Sequence, residues 1–248
     1  MTAIEKSYYC GASTTQIIYE TIGGFFDGVA ETYPDGQALI LRHQGVEWTY
    51  AELQRRVDQL AAGLLALGIV PGDRVGIWGP NSAEWVLTQL ATAKLGAIMV
   101  CINPAYRLYE LEYALNKVEC KALITDESFK TSDYLGMLNT LAPELEYCEP
   151  GALASTKLPK LKHVIRMGSS SSAGMHNFDQ ICELATDADR AALLGLQTQL
   201  KPDDAINIQF TSGTTGNPKG ATLSHCNILN NGYLTGEAMR LTPADKLC

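Results

Sequence analysis

The chain has 248 residues, 46% of them apolar, and its 19 Lys and Arg against 27 Asp and Glu give a formal charge of -8. That size and apolar content support a substantial core, in one large α/β domain or two small ones. The acidic balance argues against a sequence-independent grip on nucleic acid, which depends on many cationic contacts to phosphate.

Seven cysteines, at 10, 101, 120, 148, 182, 226 and 248, include no Cys-x-x-Cys pair, so neither a disulfide framework nor a zinc site is expected, and a reducing compartment fits. The opening MTAIEKSYYCGAS carries Glu5 and no long apolar run, which disfavours a secretory signal or an Arg-rich transit peptide. The longest charge-free apolar run, LAAGLLALGIV at 60–70, falls short of the roughly 20 residues that span a bilayer. A cytoplasmic protein without a transmembrane segment is the expectation.

In chain order, QALILRH and VEWTY flank a Gln44-Gly45 turn and predict a hairpin. Thr49 and Glu52 then form a capping box that opens a helix. Its apolar positions Leu53, Val57, Leu60, Leu64 and Leu67 recur at steps of four and three, and Gly68 is placed to end it. A strand RVGIW follows, then a helix capped by Asn81 with Glu84 and stopped by Gly96, a buried strand AIMVCI, a helix over about 107–118 and a strand KALIT. Strands alternating with helices of this length predict a layered, mostly parallel α/β sheet with flanking helices and right-handed crossovers. Trp48, Trp78 and Trp85 are assigned to packing.

From 139 to 204 the signals weaken, with Pro at 143, 150, 159 and 202 and the tract GSSSSAG at 168–174, read as an exposed loop. LKHVIRM reads as a strand and NFDQICELA as a short helix. The sheet resumes at AINIQF, where Ile206, Ile208 and Phe210 alternate with polar residues.

After that strand comes TSGTTGNPKG, 211–220, ahead of a short ATL segment and a helix capped by Ser224. A Gly-rich turn at the end of a sheet strand is where α/β folds bind ligands. Gly213, Gly216 and Gly220 let successive N–H groups converge on an anion, Lys219 adds a charge, and Thr211, Ser212, Thr214 and Thr215 add donors. From residue types alone, an ordinary turn fits as well as a phosphate cradle. The Walker spacing fails, because Pro218 stands five residues after Gly213 and Gly220 follows the lysine. Neither Gly-x-Gly-x-x-Gly nor Gly-x-Ser-x-Gly occurs. His225 and Cys226 are neighbours on a helix, point apart and do not suggest a catalytic pair.

TSGTTGNPKG resembles the signature of the AMP-forming adenylate superfamily, the AMP-dependent synthetases and ligases. WTYAELQRRVDQLAAGL at 48–64 and LATAKLGAIMVCINPAYRLYELEYAL at 90–115 are similar to two further motifs of that family, and both are assigned to packing. Within it, the likeness is to fatty-acyl-CoA synthetases, particularly those acting on medium-chain acids. The resemblance implies ATP, Mg2+ and CoA, with an acyl-AMP formed first and CoA displacing AMP. It implies that Thr211, Ser212, Gly213, Thr214, Thr215, Gly216, Asn217, Pro218, Lys219 and Gly220 contact the β- and γ-phosphates. Lys219 is then the catalytic residue that stabilises charge on the leaving pyrophosphate, and Thr211 a magnesium ligand. The plain alternative for each hydroxyl is a turn bonded to its own backbone.

The family's Tyr-Gly-x-Thr-Glu motif, its ribose-binding Asp and its mobile C-terminal domain with a catalytic lysine do not occur before LTPADKLC, in which Lys246-Leu247-Cys248 reads as a strand cut short. The resemblance therefore implies that 1–248 is the N-terminal part of the large AMP-binding domain, inactive alone and prone to self-association or homo-oligomer formation. The alternative is a non-catalytic nucleotide-binding or partner-binding module.

Overall fold

A computed structural model describes residues 15–211 and 217–247. The MTAIEKSYYCGAS stretch, on which the leader reading rests, lies outside that range.

The chain enters through α1 (Ile22–Thr32), capped by the Thr21 hydroxyl, which accepts from Gly24 N–H at 3.1 Å. A hairpin of β1 (Gln37–Leu41) and β2 (Val46–Thr49) follows, turning at Gly45. Thr49 and Glu52 then close the expected capping box at the head of α2 (Tyr50–Ala66). The alternating unit runs β3 (Arg74–Trp78), α3 (Ala83–Leu95), β4 (Ile98–Ile102), α4 (Leu108–Lys117) and β5 (Ala122–Thr125). Gly96 ends α3 with φ +80, a left-handed backbone angle that favours glycine.

Further along lie a small hairpin of β6 (Ser128–Phe129) and β7 (Ser132–Asp133), then α5 (Tyr134–Leu141), β8 (His163–Arg166), β9 (His176–Asn177), α6 (Phe178–Ile181) and α7 (Asp187–Gln197). The last elements are β10 (Ala205–Thr211), β11 (Lys219–Ser224) and α8 (His225–Met239).

The main sheet has the order β11-β10-β4-β3-β5-β8-β9, and every pairing in it is parallel except β10 with β11. Alternation along the strands divides the core. In β4, Met99 joins Leu60, Leu64, Leu87 and Leu95 on the face covered by α2 and α3, while Val100 and Ile102 join Leu111, Leu115 and Leu138 on the face covered by α4 and α5. The central strands thus bury both faces, as parallel sheets do. Trp78 is fully buried, and Trp48 and Trp85 pack half-buried against the core.

Several expectations change. The cap of α3 is Ser82, whose hydroxyl accepts from Trp85 N–H, and not Asn81. The side chain of Gln44 reaches across from the first hairpin to accept from Ala83 N–H at 2.7 Å, satisfying a second helix-end donor that has no partner within the helix. Only Phe178–Ile181 of NFDQICELA is helical. The ATL segment belongs to a six-residue strand antiparallel to β10, so Thr211 and Lys219, on either side of the Gly-rich stretch, face each other at the end of a hairpin. Lys246 and Leu247 are not in a strand; Thr242 and Asp245 close a turn there instead.

Candidate functional site

The parallel strands all end on one edge of the sheet, at Trp78, Ile102, Thr125, Arg166, Asn177 and Thr211. Chains leaving β3 and β4 go to opposite faces, the arrangement that opens a ligand crevice in α/β folds. Here that crevice is filled. Trp78 stacks on Tyr134 with centroids 3.8 Å apart and donates its indole N–H to Asn103 carbonyl at 3.2 Å. Tyr134 donates to Pro104 carbonyl at 2.7 Å, and burial above all pushes its pKa up to about 12, so the phenol keeps that proton at neutral pH.

Outward along the same edge lie β10 and β11. Their register sets Thr211 opposite Lys219 and Phe210 opposite Gly220, closing the hairpin at its neck. The Thr211 hydroxyl lies 3.4 Å from Lys219 carbonyl and donates to it. Both residues are exposed, and among the described residues Lys219 makes no ion pair. A Cβ on Gly220 would come within 3.1 Å of Ile208, so the strand packs closely just below the neck.

One flank of the neck is α4. Tyr106 meets Phe210 edge-on at 6.5 Å, Tyr109 reaches Asn217 Oδ1 at 3.5 Å, and Tyr113 donates to Pro218 carbonyl at 3.2 Å. An open groove of about 430 Å³ runs beside them, lined by Tyr109, Glu112, Tyr113, Asn116 and Lys117.

Of the ten residues expected from the sequence, the structure brings Thr211 and Lys219 together and sets Asn217, Pro218 and Gly220 on the same neck. Ser212, Gly213, Thr214, Thr215 and Gly216 lie outside the described residues. The three tyrosines were not singled out, although Tyr109 and Tyr113 at i, i+4 in YRLYELEY already share one helix face. Among the described residues no group of three or more His, Cys, Asp and Glu gathers as a metal centre. Among the described residues of the loop, Thr211 would offer a magnesium ion a neutral oxygen. This fits an ion that retains water and binds chiefly to phosphate oxygens.

His225 is fully buried and its Nδ1 accepts from Ile22 N–H at 3.1 Å, which fixes the tautomer and ties α8 to the start of α1. Burial holds its pKa below the usual value. It anchors α8 to α1. The five described cysteines are free thiols.

These features define an α/β domain with a mostly parallel sheet, whose edge strand β11 follows a Gly- and hydroxyl-rich stretch and is exposed over 219–222. The chain belongs to the family of AMP-binding enzymes, whose pattern matches residues 26–248. It is 45% identical over 235 residues to the mitochondrial medium-chain acyl-CoA ligase ACSF2 of Bos taurus, covering 95% of this chain and 38% of the relative. With the same protein of Danio rerio it shares 46% over 233 residues, 94% of this chain and 38% of the relative. The fold matches the acetoacetyl-CoA synthetase of Streptomyces lividans with a TM-score of 0.74 at 26% identity, over 92% of this chain and 34% of that one. The chain thus spans little more than a third of the length of these relatives.

Proposed function

We propose that this chain is the N-terminal part of the large domain of an AMP-forming acid–CoA ligase and supplies its grip on the pyrophosphate end of ATP. The reaction joins a carboxylate to the α-phosphorus of ATP, expels pyrophosphate, and then exchanges AMP for the thiol of CoA. Charge grows on the departing pyrophosphate in the first step. A cation and fixed N–H donors placed there before the reaction lower the barrier, because they need no rearrangement as that charge develops. Lys219 is the cation in this reading, the loop 211–220 the cradle, and Thr211 the residue that would hold Mg2+, which supplies further charge neutralisation when bound.

The observation that carries the proposal is the pairing of Thr211 with Lys219 at the neck of a hairpin on the ligand edge of the sheet. The relatives' names support a medium-chain fatty acid as the substrate. Free thiols support a reducing compartment, cytoplasmic in our reading of the sequence. The exposed edge strand β11 supports self-association of the isolated chain.

The test is exchange of labelled pyrophosphate into ATP by a full-length enzyme carrying this segment, across acids of different length. Exchange that peaks with acids near octanoate is expected, and Lys219→Ala should reduce it by ~100-fold or more. Nucleotide binding without exchange under any acid would favour a non-catalytic module instead.

A further inference from the structure

The outer limb of the hairpin poses a mechanical problem. β11 is the edge strand, so from Lys219 onward its backbone has a sheet neighbour on one side only. Residues 219–222 are exposed, which leaves little packing to hold the limb in place. A cation that must meet a bound anion needs a firmer base than a free edge provides.

Helix α4 supplies one. Its inner face is fixed in the core through Leu111, Ala114 and Leu115. Tyr106, in the turn just before the helix, lies against Phe210 on the inner limb, and Tyr113, on the helix itself, donates to Pro218 carbonyl on the outer limb at 3.2 Å. Proline lacks an N–H, so that carbonyl is the only hydrogen-bonding group its backbone offers. The same peptide plane that carries the Pro218 oxygen carries the nitrogen of Lys219. Holding one end of the plane therefore sets the other, and with it the base of the Lys219 side chain.

We propose that Tyr113 is a positioning residue: its hydroxyl locks the Pro218–Lys219 peptide so that Lys219 stands ready for the leaving phosphates. This rests on the phosphate reading of the loop. Tyr109 has a lesser part, because its contact with Asn217 is at 3.5 Å and goes to a side chain.

The experiment compares this chain with Tyr113→Phe, which keeps the ring and removes only the hydroxyl. Backbone amide exchange over 217–220, measured without ligand, should quicken about three- to tenfold in the variant, the span that one lost hydrogen bond provides. Exchange in β3 and β4 should not change. Titration with Mg·ATP should show a dissociation constant weakened by a similar factor. Exchange over 217–220 that matches the original chain overturns the proposal, as does an equal effect from Tyr109→Phe. Quickened exchange with unaltered ATP affinity overturns the link to Lys219. If neither protein binds nucleotide, the phosphate reading fails, and the exchange data alone still decide whether Tyr113 holds the loop.

Discussion

His163 Nδ1 and His176 Nε2 lie 3.3 Å apart across the β8–β9 pair, their rings stacked at 5.5 Å and 27°. One nitrogen must donate and the other accept, so the pair is satisfied while both rings are neutral. Burial lowers both pKa values, and the neighbouring His176 and then Lys121 help bring His163 down to about 4. Both folded values lie below the unfolded value near 6.5. The unfolded chain therefore takes up protons first as pH falls. The stabilising contribution is complete above about pH 6.5 and is lost toward pH 4, on the order of 2–3 kcal/mol for His163. Urea midpoints between pH 7 and 4.5 should fall more steeply for this chain than for His163→Gln, and parallel slopes would refute the assignment.

Two glycines in helices should respond oppositely to alanine. A Cβ on Gly63 would sit 2.1 Å from Ile181 carbonyl oxygen, where α2 crosses α6, and backbone cannot yield as a side chain can. Gly63→Ala should cost about 2–3 kcal/mol or more through overpacking. Gly195 lies in α7 with nothing within 4 Å of its Cβ direction. Gly195→Ala should add roughly 0.5–1 kcal/mol, since alanine gives up less conformational freedom in a helix. Thermal or urea unfolding measures both, and a shared sign would contradict this account.

Much of the fold is legible in the sequence because its signals are local. The Thr49–Glu52 box, the four-and-three spacing in α2 and the alternation in β10 each depend on residues within one element. What escaped depends on distant partners. β11 has mostly exposed residues and is a strand only through its register with β10. α7 buries Leu193 alone, so its Thr186–Asp189 cap was present without the apolar rhythm that announces a helix. The loop stood out through its likeness to a family signature, its residue types alone fitting a turn as well, whereas its tyrosine flank was not legible, since only the packing of α4 and the turn before it against the hairpin brings those rings there.

The start of α3 gives that contrast a measurable form. Ser82, and not Asn81, holds the cap, and Gln44 serves Ala83 from the first hairpin. Ser82→Ala should cost about 1 kcal/mol, the usual loss for a cap hydroxyl, and Gln44→Ala a comparable amount through the unpaired amide. Asn81→Ala should remain within about 0.5 kcal/mol of the original. A large loss from Asn81→Ala would return the cap to the position the sequence first indicated.

On the proposed phosphate reading, substituting Lys219 should separate stability from ligand binding. Its side chain is exposed and makes no ion pair among the described residues, so Lys219→Ala should change unfolding free energy by no more than about 0.5 kcal/mol. A cation meeting a triphosphate acts through charge-assisted hydrogen bonds, each worth roughly 1.5–3 kcal/mol, so the same substitution should weaken Mg·ATP binding about tenfold or more. The loss should shrink as salt rises, because an exposed charge pair is screened over about 10 Å at 0.1 M. Calorimetric titration of both proteins at two ionic strengths reads all three effects. An affinity that survives Lys219→Ala unchanged would remove the lysine from the phosphate grip, and with it the reason for the close pairing to Thr211.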